Sequence, residues 1–298
     1  MNLQQENMTG KEFKELFASF VDVWKMKLEM QKSVQTFNDH IIDEAVKIFE
    51  TSSALIQDED TLSHIITRIS EYVPEKKVKA IVAQVLNWHQ GRFVEFAQRA
   101  NDDQDEVDEV ADLCLVKSQG EFECLQWKDL HLFKSVFDLG IYQMLLWELQ
   151  PKTIIEIGAG NGSNAVWVAD LLKSFGLECH VYSLDINIPC FQYEDVTFIQ
   201  GDFNKIEAGM TESFLSELPH PWLVIEDAHV NVTNVLSHFA CYMSTDDYLV
   251  VEDSGRKQAD VADFLSDKAK QFVVDTKYCD FFGRNMTCSH NSILKKVK

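Results

Sequence analysis

The chain has 298 residues, which is enough for one large domain or two smaller ones. Its 27 basic and 48 acidic side chains give a net charge of -21, which disfavours nucleic acid and anionic membranes as partners. The polar start, Met1 to Asn7, lacks the pattern of a signal peptide, and no apolar run approaches the roughly 20 residues of a membrane span. Seven scattered cysteines without C-x-x-C spacing indicate reduced thiols and a cytoplasmic protein.

The first part of the chain is predicted to be helical. Apolar residues recur at helical spacing in four segments of the first ninety residues, and Gly120–Leu149 is interpreted as helical again. The acidic run Asn101–Glu109 between them has the composition of a linker or a helix start. We predict a helical subdomain over residues 1–120, serving as a lid or a dimer contact, and a second domain over residues 121–298. The predicted assembly is a homodimer.

From residue 153 onward, strands and helices alternate, which indicates a parallel sheet of βαβ units. The predicted strands are Thr153–Ile157, His180–Leu184, Val196–Ile199, Trp222–Ile225, Tyr248–Val251, Phe272–Asp275 and Ser292–Leu294. The predicted helices are Asn164–Phe175, a segment within Thr211–Leu218, Val232–Met243 and Asp260–Lys268.

A glycine loop with the pattern E-x-G-x-G-x-G follows the first of these strands, from Glu156 to Gly162. A strand that runs into such a loop and then a helix can bind a nucleotide, because glycine lets the backbone approach the ligand and the first helical turn offers free N–H groups. The dinucleotide pattern G-x-G-x-x-G would need a third glycine where Ser163 stands, so a NAD-dependent oxidoreductase is an outside alternative. A turn that uses glycine only for its geometry is the simpler alternative.

Acids also follow the next two strands, at the sheet edge where open α/β sheets bind their ligands. Asp185 ends the second strand, where a carboxylate can accept hydrogen bonds from both ribose hydroxyls of a nucleoside. Asp202 follows the third strand. Either acid alone fits a loop carboxylate near a helix start, but their succession after the glycine loop favours a nucleoside site.

The fourth and fifth strands end in a denser group of acids. Asp227 and His229 follow the fourth strand, and Glu252 and Asp253 follow the fifth. Three carboxylates that converge must share protons or bind a cation, for which Mg²⁺ is suited. Such an ion, held by Asp227, Glu252 and Asp253, could lower the pKa of an acceptor hydroxyl, with His229 as the general base.

The glycine pattern resembles motif I of the class I S-adenosylmethionine (SAM) methyltransferases. The segments Leu223–His229, Asp247–Asp253 and Asp280–Asn285 resemble the cephalosporin hydroxylase/rhamnosyl O-methyltransferase family, over about residues 125–298. The resemblance implies a Rossmann-like class I methyltransferase fold, an α/β architecture whose seven-stranded, mostly parallel sheet ends in a reversed hairpin, next to the α-helical N-terminal subdomain.

These functional roles can be assigned to particular residues. The predicted cofactor-binding residues are Glu156, Gly158, Gly160, Gly162, Asp185, Asp202 and Asp227. The implied Mg²⁺ ligands are Asp227, Glu252 and Asp253, and the predicted catalytic residues are His229 and Asp227.

The expected function is SAM-dependent methyl transfer to a small-molecule acceptor, most simply a metal-assisted transfer to a hydroxyl in secondary metabolism. One alternative is an amino or thioether acceptor of an amino-acid-like metabolite, where the carboxylates would bind an ammonium group. Another is a non-catalytic SAM-binding partner subunit. Loss of activity on chelation would favour the hydroxyl acceptor.

Overall fold

The computed structural model describes residues 92–100, 109–120, 122–268 and 270–298. The helices predicted over the first ninety residues lie outside the described residues. Arg92–Lys298 form one compact unit. The predicted division at residues 120 and 121 stays a prediction.

The strands, in chain order, are β1 Phe93–Val94, β2 Leu125–Trp127, β3 Leu130–Leu132, β4 Thr153–Ile157, β5 His180–Asp185, β6 Val196–Gln200, β7 Trp222–Glu226, β8 Tyr248–Val251, β9 Phe272–Asp275 and β10 Ile293–Lys296. One mixed sheet of eight of these strands organises this unit, in the order β1-β9-β10-β8-β7-β4-β5-β6. Strands β8, β7, β4, β5 and β6 are parallel, and β10 is antiparallel to both β8 and β9. Strands β2 and β3 form a separate hairpin.

Helices connect the strands. In the described residues they are α1 Phe96–Ala100, α2 Glu109–Ser118, α3 Val136–Leu149, α4 Ser163–Ser174, α5 Ile206–Gly209, α6 Glu212–Leu215, α7 Val232–Ala240, α8 Gln258–Lys268 and α9 Thr276–Cys279. Short 3₁₀ turns follow β6 and β8, at Phe203–Lys205 and Ser254–Arg256. No described helix has the length and apolar character that a membrane crossing requires.

The central strands are buried because they are rich in apolar residues. Every residue of β4, β7 and β8 is buried, as expected for apolar runs in a parallel sheet that is covered on both faces. Helix α7 buries Val235, Leu236 and Phe239. Helix α3 starts where the Ser135 side chain accepts a hydrogen bond from the Asp138 backbone N–H at 3.1 Å. The carboxyl ends of the parallel strands therefore lie at one edge of a rigid core.

The predicted Rossmann-like fold is confirmed, and each predicted strand is present within a residue or two of its predicted bounds. Two assignments were wrong. Residues 125–132 form the β2–β3 hairpin, not helix, because Lys128 and Asp129 turn the chain at φ values of 49° and 63°. The apolar side chains there fit helical and alternating spacing equally well. Residues 93–94, predicted as helix, form an eighth strand beside β9.

Candidate functional site

A cavity of about 390 Å³ opens at the carboxyl ends of the parallel strands. Its lining comes from the loops that follow β4, β5, β6 and β7: Gly158, Gly160, Asp185, Ile186, Asp202, Phe203, Asn204, Asp227, Ala228 and Val230. Most of the predicted cofactor residues therefore meet around one space, although they are far apart in the sequence.

The glycine loop forms one wall of the cavity. Gly158 has φ +105°, and a Cβ on it would lie 2.8 Å from the backbone carbonyl of Asp227, so only glycine fits between the two strand ends. Gly160 has φ +51°, and no atom lies within 4 Å of the place a Cβ would take. Its N–H donates to Asp185 Oδ2 at 3.0 Å. The loop thus presents open backbone to the cavity beside a carboxylate.

Asp185 and Asp202 line the cavity and are held by nearby backbone groups. Asp185 Oδ1 accepts a hydrogen bond from the Asn187 N–H at 3.1 Å, and Asp202 Oδ1 accepts one from the Asn204 N–H at 3.0 Å. Each carboxylate keeps lone pairs for a ligand, because an ionised carboxyl group accepts about four hydrogen bonds. Both acids are thereby oriented and remain able to bind.

Two of the predicted cofactor residues do not line the cavity. Gly162 precedes α4 at φ +81°, and a Cβ on it would lie 2.8 Å from the Phe198 ring, so its need for glycine comes from packing. Glu156 is buried, and it accepts hydrogen bonds from Asn164 Nδ2 at 2.6 Å and from the Ser183 hydroxyl. Burial raises the pKa of Glu156 to about 7. Their contact with a cofactor stays a prediction.

Three predicted residues converge next to the cavity. His229 Nε2 lies 3.7 Å from Asp227 Oδ1 and 3.6 Å from Asp253 Oδ2. One donor atom from each of the three lies within 4.8 Å of the others. Burial, followed by the charge of Glu252, raises the pKa of Asp227 well above its ordinary value. This group can hold a proton or a cation.

Glu252, the third predicted metal ligand, has other partners. It is buried, and its two oxygens accept hydrogen bonds from the ammonium group of Lys134 and from the Tyr142 hydroxyl. Burial alone would raise the pKa of Glu252, but these donors outweigh it and hold that pKa below its ordinary value. Its assignment as a metal ligand stays a prediction.

Lys134 is the residue that sequence reasoning missed. Its side chain is buried, and its Nζ lies 3.8 Å from Asp227 Oδ2 in addition to its pairing with Glu252. Burial disfavours its charge, but Glu252 and Asp227 reverse that effect and raise its pKa. A lysine between the apolar residue Phe133 and a helix cap was a weak signal, and nothing local linked it to acids about 100 residues later. Lys134 supplies a positive charge that we had expected only from a metal.

Comparison with known proteins places this site in a family. The family model described as rhamnosyl O-methyltransferase/CmcI matches residues 120–271, just over half of the chain. The chain belongs to this family. The match confirms the family resemblance read from the strand ends and the glycine loop.

The matched relatives carry the family's activity in their names. Rhamnosyl O-methyltransferase of Mycobacterium leprae is 30% identical over 136 residues, which cover 43% of this chain and 59% of that protein. The Mycobacterium tuberculosis H37Rv protein of the same name is 30% identical over 134 residues, covering 42% and 55%. The chain thus spans less than two thirds of the length of these relatives.

Solved structures of CmcI share the fold. The apo structure of CmcI has a TM-score of 0.53 at 27% identity, covering 60% of this chain and 78% of that one. CmcI with Mg and SAM has a TM-score of 0.51 at 28% identity, with the same coverage. A third structure, with S-adenosylhomocysteine (SAH), has a TM-score of 0.50 at 27% identity, covering 60% and 85%.

Proposed function

We propose that this chain is a SAM-dependent methyltransferase that methylates a hydroxyl group of a small acceptor with the help of a divalent metal ion. The observation that carries the proposal is the joining of Gly158, Gly160, Asp185 and Asp202 around one cavity. The solved relative CmcI binds SAM in the same fold. The cavity stands at the strand ends, where open α/β sheets bind their ligands.

The cofactor half of the cavity fits a nucleoside bound to an amino acid. Asp185 would accept hydrogen bonds from the ribose hydroxyls, because both its oxygens keep free lone pairs beside the open Gly160. Asp202 would accept one from the adenine amine. The backbone of the glycine loop would follow the methionyl part of the cofactor.

The acceptor half of the site, at the ends of β7 and β8, fits a hydroxyl group beside the methyl group of SAM. The hydroxyl oxygen would attack the methyl carbon in line, the carbon–sulfur bond would break, and SAH would leave. The hydroxyl proton would pass to Asp227 or to His229, as predicted from sequence. Alignment of the hydroxyl oxygen with the methyl carbon supplies a large part of the rate in such transfers.

A divalent ion fits the carboxylates of Asp227 and Asp253, since one oxygen of each lies within 4.8 Å of the other. When bound, such an ion lowers the pKa of a coordinated hydroxyl. The Lys134 ammonium group already offsets part of the local negative charge, since it pairs with Glu252 and lies 3.8 Å from Asp227. One lysine cannot offset the charge of three carboxylates, so the site can bind one further cation.

An amine acceptor is the second candidate. The observation that favours it is the exposure of Asp253, whose side chain is 58% accessible next to Asp227, so an ammonium group could reach both carboxylates, lose a proton to one of them and attack the methyl carbon as the free amine. Such an acceptor would need no metal. A SAM-binding subunit without activity is the remaining alternative, and it would bind SAM without turning over any acceptor.

Calorimetric titration with SAH tests the cofactor. We expect micromolar binding that is lost in Asp185→Ala and kept in Asp195→Asn, an exposed acid just before the amino end of β6, away from the cavity. No binding to the wild-type protein would overturn the proposal. Mass spectrometry of rhamnosides and of amino sugars incubated with SAM, with and without chelator, then separates the two acceptors, because only the hydroxyl reaction should stop on chelation.

The homodimer, the cytoplasmic location and the helical role of residues 1–120 are further proposals. The excess of acidic residues supports small molecules over nucleic acid as ligands. Light scattering of the full chain during size-exclusion chromatography tests the dimer.

A further inference from the structure

We propose that Asn161 is a positioning residue, and that its side chain couples occupation of the cofactor half to the placement of Lys134 in the acceptor half. The element that connects the two is the β2–β3 hairpin. The inference deepens the proposed function and rests on it for the identity of the cofactor. The coupling itself can be measured without an acceptor.

The Asn161 side chain makes two hydrogen bonds in different directions. Its Oδ1 accepts the Ser163 N–H at 3.0 Å, at the start of α4, and its Nδ2 donates to the His131 carbonyl at 2.8 Å. The first bond stays within the glycine loop, whereas the second reaches a residue of β3 that lies 30 positions earlier in the chain. The Nδ2 atom therefore attaches the glycine loop to the hairpin.

The place of the Asn161 side chain depends on what binds to the loop. Asn161 lies between Gly160 and Gly162, and both glycines have positive φ. Glycine restricts the backbone less than any other residue, so these neighbours do little to fix the side chain between them. Gly160 lines the cavity, so a ligand that packs against its backbone also holds the next residue. Cofactor binding should therefore strengthen the hydrogen bond to His131.

The hairpin is also attached to the segment between β5 and β6, which begins with the cavity-lining residue Ile186. The Lys128 ammonium group, at the turn of the hairpin, donates to the Tyr193 hydroxyl of this segment. Both groups also donate to the Asp170 carboxylate of α4, at 2.9 and 2.7 Å, and the Trp127 indole N–H donates to it at 2.7 Å. Two segments that line the cofactor half thus hold the same hairpin.

The hairpin leads directly to Lys134. Only two residues separate His131 from Lys134, a stretch of chain that spans about 10 Å at most. Leu132 within this stretch is buried in the core, and Lys134 is buried as well, so there is little slack to absorb a shift of the His131 carbonyl. Lys134 Nζ pairs with Glu252 and lies 3.8 Å from Asp227. The charge balance of the acceptor half therefore depends on where the end of β3 lies.

The coupling acts in both directions, because linkage between two sites is reciprocal. A chain that holds SAM should keep Lys134 in its paired position and bind an acceptor more tightly than the empty chain. Departure of SAH should weaken this arrangement and favour release of the methylated product. One neutral hydrogen bond changes such an equilibrium by about fivefold.

Hydrogen–deuterium exchange of the full chain, with and without saturating SAH, tests this inference. Residues 130–136 do not line the cavity, so SAH cannot slow their exchange by covering them. In the wild type we expect SAH to slow amide exchange in this segment about fivefold. In Asn161→Asp, SAH should slow exchange in the glycine loop but leave residues 130–136 unchanged, because a carboxylate can accept from the Ser163 N–H but cannot donate to the His131 carbonyl.

Two further variants control the experiment. Asn161→Ser repeats it without an added charge, since a hydroxyl group can accept from the Ser163 N–H but is too short to reach His131. Asn234→Asp makes the same substitution at an exposed position of α7 and should keep the wild-type response. The urea midpoint of Asn161→Asp should equal that of the wild type, because the bond at the start of α4 is kept, so a positioning role is separated from a stabilising one.

Each other outcome decides against the coupling. Exchange in residues 130–136 of the wild type that does not respond to SAH would overturn it, and so would an equal response in Asn161→Asp. Loss of SAH binding in both Asn161→Asp and Asn161→Ser would overturn it in favour of direct contact between the Asn161 amide and the cofactor. Calorimetry of the same samples separates the two proposals: a wild type that does not bind SAH overturns the proposed function and the coupling together, whereas SAH binding without coupling overturns the coupling alone.

Discussion

The cavity and the group of acids beside it form two halves of one site, and these halves balance their charges in different ways. In the cofactor half, at the ends of β5 and β6, Asp185 and Asp202 each accept a backbone N–H from their own loop, Asp185 from Asn187 and Asp202 from Asn204. In the acceptor half, at the ends of β7 and β8, the acids lie against one another, and the balancing charge of Lys134 comes from before α3. The cofactor half is completed locally, whereas the acceptor half depends on a distant residue.

This difference explains why the two halves differ in how much of them the sequence reveals. A carboxylate held by amides of its own loop needs only the right residues within a few positions. A buried carboxylate that needs a cation depends on whichever segment the fold brings to it. Substitutions in the acceptor half should therefore damage the fold most, and those in the cofactor half should mainly damage binding.

The largest effect is expected for Lys134→Met. The substitution leaves Glu252 and Asp227 without their cation, so the free energy of unfolding should fall by about 3–5 kcal/mol. Urea titration followed by circular dichroism measures it. The double variant Lys134→Met/Glu252→Gln should recover part of the loss, because the buried negative charge is removed as well.

The matched control for this experiment is Lys173→Met, which breaks the exposed Lys173–Glu194 pair. It should leave the urea midpoint unchanged. If Lys134→Met had as little effect as Lys173→Met, the proposed dependence of the acceptor half on a buried cation would be wrong.

The next effect concerns the cofactor half. Asp185→Ala should weaken SAH binding about 100-fold, because two hydrogen bonds to a charged group are lost, and should change the urea midpoint far less than Lys134→Met. Calorimetry and urea titration of the same samples measure both quantities. An equal loss of stability in both variants would remove the distinction between the two halves.

The third prediction uses Glu156, which lies beneath the glycine loop. Its pKa is raised from 4.5 to about 7 in the folded chain, so its stabilising contribution is complete below about pH 4.5 and is lost as the pH rises through about 7. Glu156→Gln has no such titration. The stability of Glu156→Gln relative to wild type should therefore rise by about 2 kcal/mol between pH 5 and 8.

Urea titrations of both proteins at each pH test this difference, and comparing them removes the contribution of every other titrating group. Glu207 is an exposed acid in α5, so the free energy of unfolding of Glu207→Gln should change with pH in parallel with that of the wild type. A constant difference between Glu156→Gln and wild type across this range would mean that Glu156 is ionised throughout.

The smallest expected effect distinguishes backbone strain in the glycine loop from the contact of that loop with the cofactor. Gly160→Ala and Gly176→Ala both place a Cβ at positive φ with no atom within 4 Å, so each should cost about 1 kcal/mol of stability. Only the Gly160 methyl group would project beside the cavity, so only Gly160→Ala should also weaken SAH binding. Equal SAH affinities in the two variants would show that the loop backbone does not approach the cofactor.

The sheet and the cofactor half could be predicted because their causes are local in sequence. Apolar runs such as Thr153–Ile157 specify buried strands, and strand–helix alternation specifies a parallel sheet. In such a sheet, strand ends meet at one edge, so Asp185 and Asp202 could be placed beside Gly158 and Gly160 before any coordinates were known.

Some local elements could not be predicted, because short segments carry too little pattern. The β2–β3 hairpin has apolar residues that fit two periodicities, and its turn depends on Lys128 and Asp129 adopting positive φ, which neither residue type signals strongly. Strand β1 is two residues long and exists through its pairing with β9, about 180 positions away.

The sequence by itself determined the sheet, the glycine loop and the set of acids at the strand ends. Only the tertiary structure decided how those acids are shared, with Glu252 bound to Lys134 and Tyr142 and Asp227 facing His229 and Asp253. The physical reason is that a strand end is specified by neighbours in the chain, whereas the balance of a buried charge is specified by neighbours in space.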